Sequence, residues 1–353
     1  MNGLSQVGIV GASGSGPALA QACVQAGLAV ILVDDTDEAL CRAEESVLRG
    51  LQRAEQPGAF GLLRKATRLE RLEGCDLVVE CGAETPQAKQ DLLRRIDSRT
   101  ERSTVIAVET DALPVSFTAR YVENPERVVG VHVPPPATIG RLLELVCYEH
   151  ASEESLARAA EWAGRIGKVA VRCRDKAGFI VNRLQRAWFS SAAGLLEAGR
   201  GTPAGLDAAL RSAGGFQAGP FEMMDARGLS EGYSVGETIY ELLGRPARLK
   251  PSAVEAALIA RGCRGRRNSR GFYAYGENAP GTVNALLEEL VPGLGRAPLS
   301  APEVAAAVVA AVVAEARSIV DDGVAGPDDV DAAAKLGLHW PKVPSQWARE
   351  RDA

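Results

Sequence analysis

Three polar side chains in this sequence have the types that proton transfer in a redox reaction needs. His132 ends an apolar run, Glu144 lies in the next one, and Asn182 follows later. Histidine takes and returns a proton near neutral pH, a carboxylate can orient its ring, and an amide can hold a substrate oxygen. His150 and His339, the other histidines, lack such a position. The trio suits oxidation of a secondary alcohol, although each residue alone could be structural.

A glycine-rich turn, residues 11–16, stands between an apolar run and a helical segment that begins at Pro17. The start of such a helix offers free N–H groups and a positive dipole end to a pyrophosphate. Asp34 ends the next apolar run, where a carboxylate binds an adenosine ribose and repels a 2′-phosphate. The turn therefore predicts a dinucleotide site that prefers NAD to NADP. The expected cofactor contacts are Gly11, Ser13, Gly14, Ser15, Gly16, Asp34, Glu84 and Lys89.

One position in this turn departs from the dinucleotide fingerprint. Ser13 stands where a glycine lets the backbone approach the pyrophosphate closely. Pro17 suits the first turn of the helix, where its missing N–H costs nothing. The alternative to a working site is therefore a nucleotide-binding fold whose cofactor site has decayed.

Short apolar runs alternate with helical segments through the first half of the chain. This order is typical of a parallel sheet with right-handed crossovers. After Gly178 the pattern changes to long amphipathic helices. The expected fold class is α/β, a Rossmann-type doubly wound sheet followed by an all-α C-terminal domain with a partial second helical repeat. The predicted strands are Val7–Val10, Val30–Val33, Leu77–Val79, Val105–Val108 and Val128–Val133.

The helical half contains a weak internal repeat. Residues 196–207 match residues 319–331, and Phe216 falls over Trp340 at the same offset. This match predicts a duplicated helical unit. The expected domains are an NAD-binding domain at 1–176, a helical domain at 177–280 and a partial second repeat at 281–353.

The stretch Val304–Ala314 has hydrophobic residues around its whole circumference, which a surface helix cannot leave in water. We expect it to pack the second copy on the first within one chain, through a pseudo-twofold contact. The alternative is a homodimer that meets through the helical domains, because such helices also occur between subunits.

The composition argues against several classes of partner. Lys and Arg total 40 against 45 for Asp and Glu, and the net charge of −5 offers no basic excess for nucleic acid or an anionic membrane. The longest apolar run is too short to span a bilayer, and the first residues lack the basic segment of a secretory signal. Seven scattered cysteines show no metal-ligand spacing. We therefore expect a cytoplasmic protein with reduced thiols and no metal.

Six motifs occur in order along the chain: VGIVGA at 7–12, DLVVE at 76–80, GVH at 130–132 with LELV at 143–146, DKAGFIVNR at 175–183, GPFEMMD at 219–225 and RGFYAY at 270–275. With them the sequence resembles the L-3-hydroxyacyl-CoA dehydrogenase family over nearly its whole length. The resemblance implies that His132, Glu144 and Asn182 are the catalytic trio. It also implies NAD as cofactor and an acyl thioester as substrate, bound to coenzyme A or to an acyl carrier protein.

The sequence departs from this family at several places. Asp111 stands where the family has a catalytic serine, and Glu109 replaces an amide two residues earlier. An extra anion beside His132 is expected to raise the pKa of the imidazole and to repel a substrate with a carboxylate. We therefore expect Asp111 in the same pocket. Residues 133–136 read Val-Pro-Pro-Pro instead of Phe-Phe-Asn-Pro, and residues 35–79, a region that normally helps to grip coenzyme A, are abbreviated.

Three functions remain open. The first is an NAD-dependent 3-hydroxyacyl thioester dehydrogenase of fatty acid metabolism, which is our prediction. The second is a dehydrogenase of a small hydroxy acid or polyol without a thioester, as in the gulonate dehydrogenase branch. The third is a non-catalytic NAD-binding or structural member, like the crystallin offshoot. The catalytic trio favours the first two, whereas Ser13 and Asp111 favour the third.

Overall fold

A computed structural model describes residues 3–82, 84–276 and 281–352 of the chain. The chain divides between Phe179 and Ile180 into two units, the first built on a β-sheet and the second mainly helical. The expected fold class, a doubly wound sheet followed by a helical domain, is confirmed. The expected domain border at residue 280 lies outside the described residues.

One eight-stranded sheet organises the first unit, in the order β3-β2-β1-β4-β5-β6-β7-β8. Every neighbouring pair is parallel except β6 and β7, which run antiparallel. Successive residues of the central strands are buried, and such strands need apolar residues on both faces. The strands are β1 (Gln6–Val10), β2 (Ala29–Val33), β3 (Leu63–Ala66), β4 (Leu77–Glu80), β5 (Val105–Glu109), β6 (Val128–His132), β7 (Leu142–Cys147) and β8 (Val169–Arg174).

The sequence predicts β1, β2, β4, β5 and β6 but misses the other three strands of this sheet. β3 and β8 are its two edges and carry exposed charged residues, so neither forms an apolar run. In β8 exposed arginines alternate with buried Val171 and Cys173, the period of a strand with one covered face. β7 is apolar but is interrupted by Glu144. The apolar-run criterion therefore finds uninterrupted central strands. It overlooks the edge strands and the interrupted strand β7.

Five α-helices occur among the described residues of the first unit. Two of them begin at a capping hydroxyl: Thr36 accepts a hydrogen bond from the N–H of Ala39 at 3.3 Å, and Ser152 accepts one from Ser155 at 3.1 Å. These caps set where α2 and α5 start. The helices are α1 (Gly16–Gln25), α2 (Asp37–Arg53), α3 (Pro86–Asp97), α4 (Val115–Thr118) and α5 (Glu153–Arg165).

The second unit contains nine labelled α-helices and one small antiparallel ribbon among its described residues. The helices are α6 (Val181–Glu197), α7 (Pro203–Ser212), α8 (Pro220–Arg227), α9 (Leu229–Leu242), α10 (Ala253–Ala260), α11 (Leu286–Leu290), α12 (Ala301–Asp321), α13 (Pro327–Ala333) and α14 (Pro344–Asp352). The ribbon pairs β9 (Tyr273–Ala274) with β10 (Thr282–Val283).

Helix α12 packs on α6 within the same chain, across a buried ion pair. Nε of Arg183 on α6 donates to Glu315 on α12 at 2.5 Å, and neither side chain is exposed. Arg183 also lies 2.9 Å from Asp322, and Arg248 donates to Glu315 from the far side. The expected packing of the second copy on the first is present.

An aromatic cluster reinforces this packing. Trp188 and Phe216 from the first copy meet Trp340 and Trp347 from the second, with ring centroids 5.4–6.2 Å apart. Phe216 and Trp340, which the predicted repeat places over each other, contact edge to face. The pseudo-twofold relation stays a prediction.

The expectation that α12 must be covered all round is wrong. Its valines occupy one buried face, whereas exposed positions such as Ala306 and Ala314 are alanines. An alanine methyl exposes little apolar area, so this side of a helix can remain in water. The sequence pattern treated alanine and valine alike, which hid the amphipathic arrangement.

Within residues 3–82, 84–276 and 281–352, no helix is both long enough and apolar enough to cross a membrane. The same residues contain no group of three or more His, Cys, Asp or Glu side chains placed to hold a metal ion. All seven cysteines are in the described part, and none of them forms a disulfide bond there.

Candidate active site

His132 and Glu144 lie directly opposite each other on two neighbouring strands. His132 ends β6, Glu144 lies within β7, and the antiparallel register pairs the two positions. Opposed residues in such a ladder have close side chains, and Nδ1 of His132 hydrogen-bonds to the Glu144 carboxylate. Both side chains are buried. The strand register therefore orients the imidazole and leaves Nε2 for another partner.

Asp111 approaches the same imidazole from the end of β5. It is the second residue after that strand, and its Oδ1 lies 3.4 Å from Nε2 of His132. Burial opposes a charged imidazole, but hydrogen bonds with Asp111 and Glu144 outweigh it and raise the pKa of His132 to about 10. The expected proximity of Asp111 to His132 is therefore present, while its catalytic role stays a prediction.

Glu84 anchors the loop that carries Asp111. Its Oε1 accepts hydrogen bonds from the N–H groups of Asp111 at 2.9 Å and Ala112 at 3.3 Å, and the Thr110 hydroxyl donates to it as well. The same hydroxyl accepts the N–H of Leu113 at 3.0 Å. These bonds hold Asp111 in place. Contact between Glu84 and a cofactor stays a prediction.

Lys89 is enclosed by acidic residues. Its Nζ donates to Glu80 at 2.8 Å and to the backbone carbonyl of Glu109 at 2.6 Å, and it lies 3.5 Å from Glu84. Burial opposes the ammonium charge, but the carboxylates of Glu80 and Glu84 outweigh it and raise the pKa of Lys89. Lys89 therefore ties the ends of β4 and β5 together. Its predicted contact with a cofactor is untested.

Glu109, the last residue of β5, contacts the glycine-rich turn. Sequence reasoning missed this contact. The Ser15 hydroxyl donates to its carboxylate at 2.9 Å. Burial, and then the charge of Asp111, raise the pKa of Glu109 to about 7. The sequence marked Glu109 only as a replaced amide. Its reach to Ser15 depends on the order of β1, β4 and β5 in the sheet, which no local pattern reveals.

The glycine-rich turn needs its first and last glycines for steric reasons. Gly11 has φ of +113°, and a Cβ there would lie 2.6 Å from the carbonyl oxygen of Cys81. A Cβ on Gly16 would lie 1.9 Å from the oxygen of Gly11. Ser13 is exposed, and its backbone oxygen accepts the N–H of Gly16 at 3.1 Å. The turn therefore keeps its tight geometry with a serine at position 13.

Asp34 follows β2 and supports the same turn. One carboxylate oxygen accepts the N–H of Ala12 at 2.8 Å, and the other accepts that of Thr36 at 3.2 Å. The Ser15 side chain does not cap α1, so the start of that helix keeps N–H groups for an anion. An uncapped helix start beside a carboxylate fits a dinucleotide such as NAD.

Asn182 belongs to the helical unit, where it is the second residue of α6 and is buried. Its side-chain oxygen accepts a hydrogen bond from Arg227 at 3.1 Å, and Arg227 also donates to Gln185 at 2.5 Å. The amide is therefore held in a fixed orientation. The sequence did not identify Arg227 as its partner. Contact between Asn182 and a substrate oxygen stays a prediction.

Comparison with known proteins assigns both halves of the chain to one family. The model for the NAD-binding domain of 3-hydroxyacyl-CoA dehydrogenase matches residues 6–176, and the model for the C-terminal domain of that family matches residues 178–275. The chain is 30% identical over 282 residues to 3-hydroxyadipyl-CoA dehydrogenase of Escherichia coli K12, covering 77% of this chain and 59% of that protein. It is 31% identical over 300 residues to the fatty acid oxidation complex subunit alpha of Shewanella amazonensis, covering 83% and 41%.

A solved structure extends the likeness of the fold to nearly the whole chain. The 3-hydroxybutyryl-CoA dehydrogenase of Escherichia coli K12 superposes with a TM-score of 0.86 at 23% identity, over 99% of this chain and 92% of the other. The two relatives compared by sequence are longer, and this chain spans about three fifths and two fifths of their lengths. Matching models over both halves show that the chain belongs to the 3-hydroxyacyl-CoA dehydrogenase family.

Proposed function

We propose that this protein is an NAD-dependent dehydrogenase that interconverts 3-hydroxyacyl and 3-ketoacyl thioesters. The observation that carries the proposal is the buried His132–Glu144 pair, whose imidazole lies at the end of the sheet where the glycine-rich turn also lies. In open α/β sheets, ligands bind outside the carboxyl ends of the strands. A proton donor and a dinucleotide turn at the same end of the strands suit transfer of a proton and a hydride.

In this mechanism His132 exchanges a proton with the substrate oxygen at Nε2. Glu144 holds Nδ1 and stabilises the imidazolium, and Asn182 binds the substrate oxygen without adding charge. NAD, when bound, supplies the chemistry of hydride acceptance and return. Phe179, whose ring lies 6.1 Å from the imidazole, helps to keep water from His132.

The residues proposed to hold the cofactor come from several parts of the first unit. Gly11, Ser13, Gly14, Ser15 and Gly16 form the turn that would receive the pyrophosphate at the start of α1. Asp34, after β2, would accept hydrogen bonds from the adenosine ribose. Glu84 and Lys89 would act from the opposite side of the turn, through the loop and strand ends that they hold.

The proposed substrate class follows the names of the relatives, a 3-hydroxyadipyl-CoA dehydrogenase and a subunit of a fatty acid oxidation complex. Coenzyme A is the proposed carrier, and an acyl carrier protein is the alternative. We also propose a cytoplasmic location, which the seven cysteines without disulfide bonds support. A homodimer through the helical units remains a proposal.

The test is a comparison of three keto substrates with NADH, followed by loss of nicotinamide absorbance. Acetoacetyl-CoA, acetoacetyl carrier protein and free acetoacetate share the reacting group and differ only in the carrier. We expect turnover of a thioester to exceed that of the free acid by at least about tenfold in kcat/KM. Faster turnover of the free acid would contradict the thioester assignment. NADH binding without turnover of any of them would contradict the enzymatic assignment.

A further inference from the structure

We propose that His132 rests as an imidazolium because carboxylates face both of its ring nitrogens, which makes the resting site a proton donor for reduction of a 3-ketoacyl group. Asp111 is then a positioning residue that holds the second proton on the ring. This inference rests on the proposed function, since it states for which direction of that reaction the resting protonation state is ready near neutral pH.

The argument begins with the two faces of the imidazole. A neutral imidazole has one N–H donor and one lone pair, so it can satisfy only one carboxylate. Glu144 is hydrogen-bonded at Nδ1, and Oδ1 of Asp111 lies 3.4 Å from Nε2. With neutral His132, a lone pair would face one of these two acceptors. Only the imidazolium donates on both sides, so the arrangement of the two carboxylates favours it.

The surroundings strengthen this preference. The His132 side chain is 1% exposed and that of Glu144 is fully buried, so water screens their attraction weakly. Glu109 adds a further acidic group that interacts electrostatically with Asp111 and His132, and Phe179 contributes an uncharged ring. Burial alone would oppose the charge, yet the two hydrogen-bonded carboxylates raise the pKa of His132 to about 10.

A protonated His132 is matched to one direction of the reaction. In reduction, the carbonyl carbon gains a hydride from the reduced nicotinamide while its oxygen gains the proton from Nε2. The C=O double bond becomes a C–OH single bond, and His132 is left neutral. In oxidation, the same nitrogen must first lose its proton before it can accept the hydroxyl proton. Near neutral pH the resting site is therefore ready for reduction.

Asp111 also offers a route by which the proton returns. Its side chain is 38% exposed, whereas His132 is nearly enclosed. After each reduction, a proton from solvent can reach Nε2 by way of the Asp111 carboxylate. The backbone hydrogen bonds from Asp111 and Ala112 to Glu84 keep that carboxylate in position.

The direct test is a titration of His132 by NMR in the intact protein with ¹⁵N-labelled histidine. Comparison with His132→Gln separates its signals from those of His150 and His339. We expect His132 to stay protonated to at least about pH 9. Asp111→Asn should lower its titration midpoint by about one unit or more, the usual effect of removing a nearby opposite charge. Asp111→Glu should retain most of the shift, and Asp91→Asn, an exposed site on α3, should leave it unchanged.

The pH profile of turnover provides the second readout. Asp111→Asn should move the rise of the oxidation rate toward neutral pH and bring the alkaline loss of the reduction rate to lower pH. A wild-type midpoint near 6.5, or a midpoint that Asp111→Asn leaves in place, would overturn the inference. A high midpoint that falls in Asp111→Asn, without turnover of any acyl thioester, would support the protonated His132 and contradict the proposed function instead.

Discussion

Asp34 has two tasks at the scale of single residues. Its carboxylate accepts the N–H of Ala12 and thereby braces the glycine-rich turn, and by our proposal it also binds the ribose of NAD. The same charge would lie close to a 2′-phosphate. By this proposal, one residue couples the shape of the turn to the choice between the two nicotinamide cofactors.

We expect NADH to bind at least about tenfold more tightly than NADPH, because two like charges about 4 Å apart near a protein surface repel by a few kcal/mol. Asp34→Asn keeps an acceptor for the turn but removes the charge, so it should narrow this ratio. Titration of nicotinamide fluorescence measures both affinities.

Asp35→Asn is the matched control for this prediction. Asp35 is the neighbouring carboxylate, its side chain is 82% exposed, and it lies 3.9 Å from Arg95. Its removal should leave the ratio near the wild-type value. Equal affinities for NADH and NADPH in the wild-type protein would remove the ribose role from Asp34.

Single residues were predictable where a motif carried them. His132 and Glu144 could be paired because their spacing and the motifs around them resemble the catalytic residues of the family, and the register places them face to face. Glu80, Lys89 and Glu109 form their contacts across strands distant in sequence. No local pattern states which strand lies beside which. The sequence therefore identified the candidate pair and missed these contacts around it.

At the scale of elements, the register of β6 and β7 positions His132 and Glu144, and the packing of α6 on α12 positions Asn182. The second contact depends on a buried ion pair, Arg183 with Glu315 at 2.5 Å. Because α6 also carries Asn182, any shift of this helix would move the amide. The ion pair is therefore a structural support for a proposed substrate contact.

Replacing Glu315 with alanine should destabilise the helical unit by about 3–5 kcal/mol, because Arg183 would remain buried without its main counter-charge. Urea unfolding followed by tryptophan fluorescence measures this loss. Glu289→Ala is the control, because Glu289 forms an exposed pair with Arg261 at 2.6 Å and should change the midpoint little. Similar midpoints for the two variants would mean that the buried pair contributes no stability.

Strands were predictable where an apolar run is uninterrupted, whereas the buried strand β7 was missed because Glu144 interrupts it. The five central strands appear as apolar runs, but β3 and β8 lie at the sheet edges, where charged residues interrupt the pattern. The ends of α2 and α5 depend on single capping hydroxyls. The sequence thus predicts the centre of the sheet and leaves its edges undetermined.

At the scale of the whole chain, the segment predicted to be a second helical copy packs on the helices before it. Trp340 and Trp347 cover Trp188 and Phe216, and α12 covers α6. The internal repeat suggested this packing because Phe216 and Trp340 share one offset. The amphipathic side of α12 could not be predicted from a scale that gives alanine the same weight as valine.

Removal of residues 301–353 should expose this aromatic cluster, so we expect the shortened protein to aggregate or to dimerise. Light scattering compares it with the full chain, for which we expect a monomer. A chain that ends at Ala348 retains Trp347 and serves as the control. A dimeric full chain together with a soluble, folded monomer after truncation would contradict packing within one chain.

The central claim is that His132 exchanges the proton while a hydride passes between NAD and a 3-ketoacyl thioester. The most direct measurement is mass analysis of the product formed from acetoacetyl-CoA and NADH that carries deuterium at both C4 positions. We predict one deuterium on C3 of the 3-hydroxybutyryl-CoA formed by the wild-type protein. With His132→Gln, formation should slow by about 10²–10⁴-fold while NADH affinity stays nearly unchanged. An unlabelled product, no product despite bound NADH, or a wild-type rate in His132→Gln would contradict the account.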